Sequence, residues 1–140
     1  MASNATANYA LPQWEPDDRL LMADFNEAMH IIDDALHHKA QLVCGSYVGN
    51  GEVERTIALD ATPKAVLVMS AHGEVTHYAA TSKYLGYGGL AVAGSPVTAN
   101  GKPILSVVEG GFKVYRENIT GNTHALTNDS ACTYNYIALL

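Results

Sequence analysis

The sequence predicts a mainly β protein, with an N-terminal α-helix over residues 17–39 followed by a β-sandwich or jelly-roll-like domain. Residues 17–39 repeat apolar side chains with helical spacing. From Val43 onward the chain is rich in Val, Thr, Tyr, Gly and Ala, with turn signals every few residues, as is typical of a sandwich. A length of 140 residues suits one domain with an appendage. We therefore divide the chain into an N-terminal segment, 1–42, and a β domain, 43–140.

The predicted helix begins at Pro16-Asp17-Asp18, because proline presets φ and acidic side chains favour the positive end of a helix. Its apolar stripe follows alternating spacings of four and three residues and comprises Leu21, Phe25, Ala28, Ile32 and Ala35. A flanking row, seven residues apart, consists of Met22, Met29 and Leu36. Such a stripe must be covered, either by the chain's own β domain or by other copies of the chain. The heptad-compatible register favours self-association.

The β domain is expected to contain strands at 43–48, 55–59, 64–70, 104–108, 112–116 and 133–139. Turns are expected at 49–51, 98–101 and 109–111, where glycine accompanies asparagine or glutamate. The Gly- and Tyr-rich middle, 71–94, predicts long loops with one or two short strands, and 118–128 predicts a loop.

Six histidines raise the question of a metal site. His72 and His77 flank a turn, but zinc requires three or four ligands at organised spacing, and neither cysteine belongs to a CxxC pair. No nucleophile elbow and no evident carboxylate pair is present. We therefore expect no metal, no cofactor and no enzymatic activity.

Three tyrosines crowd the glycine-rich middle beside His72 and His77, namely Tyr78, Tyr84 and Tyr87. Aromatic rings with polar tips on glycine-supported loops are typical of sugar-binding and protein-binding surfaces. The alternative is that these rings cover the edge of the sandwich or pack between subunits. The five side chains are candidate ligand-binding residues.

The net charge of −6 lies mostly in residues 1–40, which hold seven acidic and two basic residues. No basic block is present, so we expect no nucleic-acid partner. The longest uncharged run, 84–101, contains Pro96 and five glycines, so we expect no membrane span. The N-terminus lacks the features of a signal peptide, which predicts a product made in the cytoplasm. Cys44 and Cys132 would then be two buried thiols, and the alternative is that they pair if the first and last strands are neighbours.

Several motifs resemble tail-fibre-type proteins encoded by phages and prophages of Gram-positive bacteria. The N-terminal matches are YALPQWEPDDR at 9–19, DFN at 24–26 and IDDAL at 32–36. The matches in the β domain lie at 45–51, 55–57, 63–68, 111–114 and 134–138.

The resemblance implies a structural virion component, usually a homotrimer, whose front end binds other virion proteins while the β domain faces outward. Leu11 and Trp14 would then form the attachment anchor, and a host cell-surface glycan becomes a candidate ligand of the β domain. The chain departs from such fibres in having no shaft, and its 73–94 block has no counterpart in them. Two questions stay open: whether the β domain binds a host receptor or only decorates the particle, and whether the protein lies on the tail, the baseplate or the head. The alternative function is a soluble, lectin-like carbohydrate-binding module.

Overall fold

The computed structural model describes residues 1–130 and 132–140 and shows a mainly β protein with one helix, which confirms the predicted fold class. The chain divides into two compact units, Met1–Ala40 and Gln41–Leu140. This division lies two residues before the predicted one.

The N-terminal unit consists of a two-stranded hairpin and a helix. The hairpin pairs β1 (Asn4–Ala5) with β2 (Pro12–Gln13), and the helix is α1 (Met22–His37). Within the hairpin, the Thr6 N–H donates to the Leu11 carbonyl over 2.8 Å. The Leu11 N–H in turn donates to the Thr6 hydroxyl oxygen over 3.0 Å. The first residues are therefore folded against their neighbours in sequence.

The helix starts at Met22, about five residues later than the sequence predicts. Asp18, which is expected to lie in the first turn of the helix, instead forms hydrogen bonds outside it. Its carboxylate accepts hydrogen bonds from the backbone N–H groups of Ser3 and Glu15, each over 2.8 Å, and from the Ser3 hydroxyl. Asp18 thus joins the N-terminus to the 15–18 turn instead of capping the helix. At the other end, the His38 N–H donates to the Asp34 carbonyl over 3.0 Å, and the helix ends there.

The second unit contains eleven strands among its described residues. In chain order they are β3 (Leu42–Val48), β4 (Glu54–Ala58), β5 (Ala65–Ser70), β6 (Thr76–Ala79), β7 (Lys83–Gly86), β8 (Gly89–Val92), β9 (Val97–Ala99), β10 (Lys102–Val108), β11 (Gly111–Thr120), β12 (Thr123–Leu126) and β13 (Thr133–Leu139).

These strands form two sheets. The four-stranded sheet has the order β3-β13-β5-β8 and is antiparallel throughout. The seven-stranded sheet has the order β6-β7-β12-β11-β10-β9, with β4 also paired to β11. Strand β11 carries this sheet around a bend, since residues 111–115 pair with β4 and residues 116–120 pair with β12. The only parallel pairing in the described residues joins β7 to β12.

The sandwich core lies between the two sheets. The four-stranded sheet contributes the buried residues Tyr47, Val66, Val68, Ala91, Tyr134 and Ala138. The seven-stranded sheet contributes Ile57, Leu105, Phe112 and Val114. The strands of the four-stranded sheet alternate inward and outward residues, as sandwich packing requires, whereas consecutive residues Ile104 and Leu105 of β10 are both buried.

The middle of the chain differs from the prediction. Residues 71–94 contain three strands, β6, β7 and β8, where long loops with one or two strands are predicted. Glycine here allows two backbone segments to approach closely, since a Cβ on Gly88 would lie 1.9 Å from the Val68 carbonyl oxygen. Residues 118–128 are likewise the end of β11 and strand β12, where the sequence predicts a loop. This segment is polar because the residues that it buries are small, such as Ala125, and not large and apolar.

Candidate functional site

Two surfaces hold most of the residues predicted to be functional. The first lies in the N-terminal unit, on α1 and the hairpin before it. The second lies in the β domain, where β6, β7, β9 and β12 come together.

The helix and the hairpin enclose a groove in the N-terminal unit with a volume of ≈ 490 Å³. From the hairpin come Tyr9 and Leu11, and from the helix come Ile31, Ile32, Ala35 and Leu36, with His38 and Lys39 at one end. The predicted residues Leu11, Ile32 and Ala35 therefore share one groove. They are half-buried, and Ala28 is the buried residue of α1.

The flank of α1 next to this groove exposes large apolar side chains to solvent, and Leu36 lies where the flank meets the groove. Met22 is 73% exposed, Phe25 50%, Met29 46% and Leu36 64%. The predicted stripe is therefore split: Ala28, Ile32 and Ala35 face inward, while Phe25 joins the flanking row on the outside. Leu21 is half-buried and, with Leu20, Met22 and Phe25, lines a shallow hollow.

Trp14 follows β2 in the N-terminal unit and is half-buried. Its indole Nε1 is fully shielded from solvent and has no hydrogen-bond acceptor among the described residues. A shielded N–H without a partner costs free energy.

In the β domain, Tyr78 on β6 faces Tyr84 on β7 across an antiparallel pair. Their ring centroids are 5.5 Å apart in an edge-to-face arrangement. Tyr78 is 73% exposed. The two rings border a pocket of ≈ 280 Å³ that is completed by Thr98, Ala99, Asn100 and Thr123. We call this the tyrosine pocket.

Hydrogen-bonding groups line the tyrosine pocket beside the rings. The Asn100 side-chain amide donates to the Thr123 hydroxyl over 3.2 Å. Asn100 has a φ of 45° and precedes Gly101 with a φ of 77°, so the hairpin turn itself sets its position. Burial, and then the proximity of Tyr78, raises the pKa of Tyr84. Its hydroxyl therefore stays protonated at neutral pH and can donate a hydrogen bond.

The other three residues of the predicted ligand-binding group lie elsewhere. Tyr87 packs against the sandwich core, and burial raises its pKa. His77 neighbours Tyr78 on β6, so its side chain points to the opposite face of the sheet, where its Nδ1 lies 3.5 Å from a Glu74 carboxylate oxygen. His72 lines a small hollow with Ser70 and Cys132.

Sequence reasoning missed the polar half of the tyrosine pocket. The turn at 98–101 is recognisable, but nothing local indicates that Asn100 meets Thr123. Thr123 reaches Tyr84 through the parallel pairing of β7 and β12, a contact between distant segments.

Within residues 1–130 and 132–140, no group of three or more His, Cys, Asp or Glu side chains is placed to hold a metal ion. The described part of the chain contains no helix that is both long and apolar enough to cross a membrane. Both cysteines are free thiols, but the predicted burial is wrong for Cys44, which is exposed on edge strand β3, while Cys132 is half-buried.

No protein-family model matches this chain, and no curated protein or solved structure matches it either.

Proposed function

We propose that this protein is a structural component of a bacteriophage virion, a short tail-fibre, baseplate-type or decoration protein. Copies assemble as a homotrimer through α1, the N-terminal segment binds other virion proteins, and the β domain faces outward. The observation that supports this most is the exposed apolar row Met22, Phe25, Met29 and Leu36.

This row has the size and spacing of a helix-packing surface. Its members recur at intervals of three, four and seven residues, which is the register by which helices pack together along their length. Complete burial of side chains of this kind is worth about 1.5–3 kcal/mol each. Three copies of the row, turned toward one another, would remove them from water together.

Charge opposes this assembly and makes it testable. Residues 1–40 carry a net charge of −5, from seven acidic and two basic residues. Like charges on neighbouring copies repel, and salt screens that repulsion over a distance of about 10 Å at 0.1 M. The proposed trimer should therefore be more stable at high ionic strength, as expected of an interface formed by apolar side chains.

Sedimentation of the full chain at micromolar concentration tests the assembly. The expected mass is three times the 14.9 kDa of one chain. Phe25→Glu combined with Met29→Glu should raise the dissociation constant at least a hundred-fold. Asn26→Glu combined with His30→Glu adds the same side chains at the same spacing on exposed polar positions, and should have little effect. A wild-type chain that stays monomeric contradicts the proposal.

Attachment to the particle is assigned to Leu11 and Trp14. A particle lacking this protein can be complemented with Trp14→Ala, which should no longer be incorporated although the β domain unfolds at the same urea concentration as wild type. Gln13→Ala, at an exposed neighbouring position, is the control. If Trp14→Ala instead lowers the stability of the β domain, the anchor role is wrong.

The tyrosine pocket supports a second candidate function, the binding of a host-surface glycan. An exposed aromatic ring beside amide and hydroxyl groups suits a sugar, whose C–H faces pack on rings while its hydroxyls form hydrogen bonds. Acting alone, the same site would make the chain a lectin-like carbohydrate-binding module.

A glycan array probed with the full chain tests this function. Binding should be lost with Tyr78→Ala combined with Tyr84→Ala, and weakened by Asn100→Ala. Tyr9→Ala removes a tyrosine that is 60% exposed in the N-terminal unit and should leave binding unchanged. An array with no bound glycan, or binding that survives the double substitution, contradicts glycan binding.

A further inference from the structure

The four-stranded sheet carries large apolar residues on both of its faces. Its outward face, opposite the sandwich core, carries Leu42, Leu67, Leu90, Val92, Ile137 and Leu139. Leu42 is 66% exposed, Leu90 61%, Val92 45% and Ile137 41%. We call this surface the outer sheet face. An antiparallel sheet with one face in water normally carries polar residues there.

The strand register places these residues in two continuous rows. One row runs Leu42, Leu139, Ala65, Val92 across the four strands, since each residue is paired with the next. The second row runs Cys44, Ile137, Leu67, Leu90 in the same way. Neither row contains a charged residue.

The seven-stranded sheet shows what a solvated face of this protein looks like. There Lys113 lies 3.2 Å from Glu54, and Lys102 pairs with Glu117. These ion pairs connect neighbouring or nearby strands. The contrast between the two sheets indicates that the outer sheet face is not adapted to contact with water.

The apolar part of the outer sheet face has a limited area. Four strands at about 4.8 Å spacing give a width of about 19 Å, and the two apolar rows give an area of roughly 250 Å². The next row, Ser46, Asn135 and Met69, is partly polar. An apolar patch of about this size also occurs on monomeric proteins, and it is about a third of the roughly 800 Å² per partner found in standard interfaces. It therefore suits one part of a larger interface.

We propose that the outer sheet face packs against the same face of two other copies, so that three four-stranded sheets surround one apolar axis. This inference rests on the proposed homotrimer and assigns it a second contact surface. A chain with a net charge of −6 meets its own copies with less repulsion at a face that carries no charge than at a charged one.

The dimensions fit a threefold arrangement. Three sheets, each about 19 Å wide, enclose a triangular space whose centre lies on the order of 5–6 Å from each sheet. This is about half of the 10 Å distance at which two sheets pack face to face, so leucine, isoleucine and valine side chains fill it. Strands β3 and β8, the two edges of the sheet, lie at the corners, where neighbouring copies cover them.

Thiol labelling of the full wild-type chain tests the buried face directly. Cys44 is exposed in the single chain and lies within the second row, whereas Cys132 is half-buried and packs against the sandwich core. Maleimide should label Cys44 at least ten-fold more slowly at concentrations where the chain is trimeric than after dilution. The rate for Cys132, located by mass spectrometry, should not change. Equal Cys44 rates in a chain that still sediments as a trimer overturn this inference and leave the proposed function intact.

A pair of lysine substitutions provides a second test. Leu67→Lys combined with Ile137→Lys puts two charges on adjacent residues of the outer sheet face and should raise the dissociation constant at least ten-fold. Thr56→Lys combined with Ala58→Lys adds the same charges at exposed positions of β4 and should have no effect. Near-ultraviolet circular dichroism establishes whether each variant is folded. If a variant is unfolded, the labelling test still decides the question, because it uses the wild-type chain.

The outcomes separate the two surfaces. A chain that stays associated after Phe25→Glu with Met29→Glu, but dissociates after Leu67→Lys with Ile137→Lys, supports the outer sheet face and removes α1 from the interface. Protection of Cys44 in a two-copy assembly overturns the threefold arrangement.

Discussion

Tyr47 on β3 and Tyr134 on β13 stack in the sandwich core with ring centroids 5.0 Å apart and planes inclined by 17°. Both hydroxyls donate to the chain at the end of β12: that of Tyr134 to the carbonyl of Leu126, the last residue of the strand, and that of Tyr47 to the Thr127 carbonyl over 2.7 Å. The pair thus joins the four-stranded sheet to the opposite sheet by apolar packing and by hydrogen bonds.

Removing either hydroxyl should destabilise the β domain. Tyr47→Phe and Tyr134→Phe each retain the ring but leave a shielded carbonyl without its donor, so each should lower the free energy of unfolding by about 1–2 kcal/mol. Urea unfolding measures this change. Tyr78→Phe, at an exposed ring, should change stability by less than about 0.5 kcal/mol. Equal stability of Tyr47→Phe and wild type would contradict this role.

The same two tyrosines should make the domain sensitive to alkali. Burial raises the pKa of both above the ordinary tyrosine value of 10.0. The unfolded chain therefore ionises first as the pH rises, so the stabilisation is fully present below pH 10 and is lost above it. Denaturation midpoints measured across this range should fall in the wild type. The fall should be smaller in the Tyr47→Phe, Tyr134→Phe double variant.

Thr127 is fully buried and connects three segments through one hydroxyl. Its Oγ1 donates to the Ile104 carbonyl over 2.6 Å and accepts from the Tyr115 N–H over 2.7 Å. Thr127→Val preserves the shape but leaves both backbone groups unpaired, at a cost of about 2–4 kcal/mol. Thr127→Ser retains the hydroxyl and should recover most of that stability in the same unfolding experiment. A valine variant as stable as the serine variant would be the contrary result.

Gly88 allows close approach between the start of β8 and strand β5. A Cβ there would lie 1.9 Å from the Val68 carbonyl oxygen, a backbone atom that cannot rotate away. Gly88→Ala should therefore cost about 1–3 kcal/mol or more. Gly121→Ala is the matched control, since nothing lies within 4 Å of the added Cβ. Thermal unfolding should separate the two variants by several degrees.

Asp18 should give the N-terminal unit an acid-sensitive step. Hydrogen bonds from the Ser3 hydroxyl and then from the Glu15 and Ser3 N–H groups hold the pKa of Asp18 below its ordinary value of 3.8. The contribution of Asp18 is thus fully present above pH 3.8 and is lost as the pH falls through the lower, folded-state pKa. Amide chemical shifts of Ser3 and Glu15 should report this loss.

Asp18→Asn should weaken the same contacts at neutral pH, since a neutral amide accepts hydrogen bonds less strongly than a carboxylate. Asp17→Asn, next to it and exposed, should preserve the titration. Ser3 and Glu15 shifts that follow no acid transition in the wild type would show that the Asp18 contacts do not persist in solution.

Features that depend on neighbours along the chain are predictable from the sequence. The helix follows from the spacing of its apolar residues, and strands β3, β5 and β10 follow from apolar runs bounded by glycine or proline. The turn at Asn100-Gly101 has positive φ at both residues, as expected for an Asn-Gly turn in a hairpin. Each of these depends on chemistry within a few residues.

Features that need a partner far away in the sequence are visible only in the folded chain. Asp18 accepts hydrogen bonds from Ser3, and the helix starts only at Met22. The hairpin packs beside α1 and covers one of its apolar rows. Strand β12 forms because β7 and β11 lie on either side of it, and the same pairing brings Thr123 to Tyr84. Local periodicity shows that a surface is apolar or polar, but only the packing of remote segments decides which surface is left to meet another molecule.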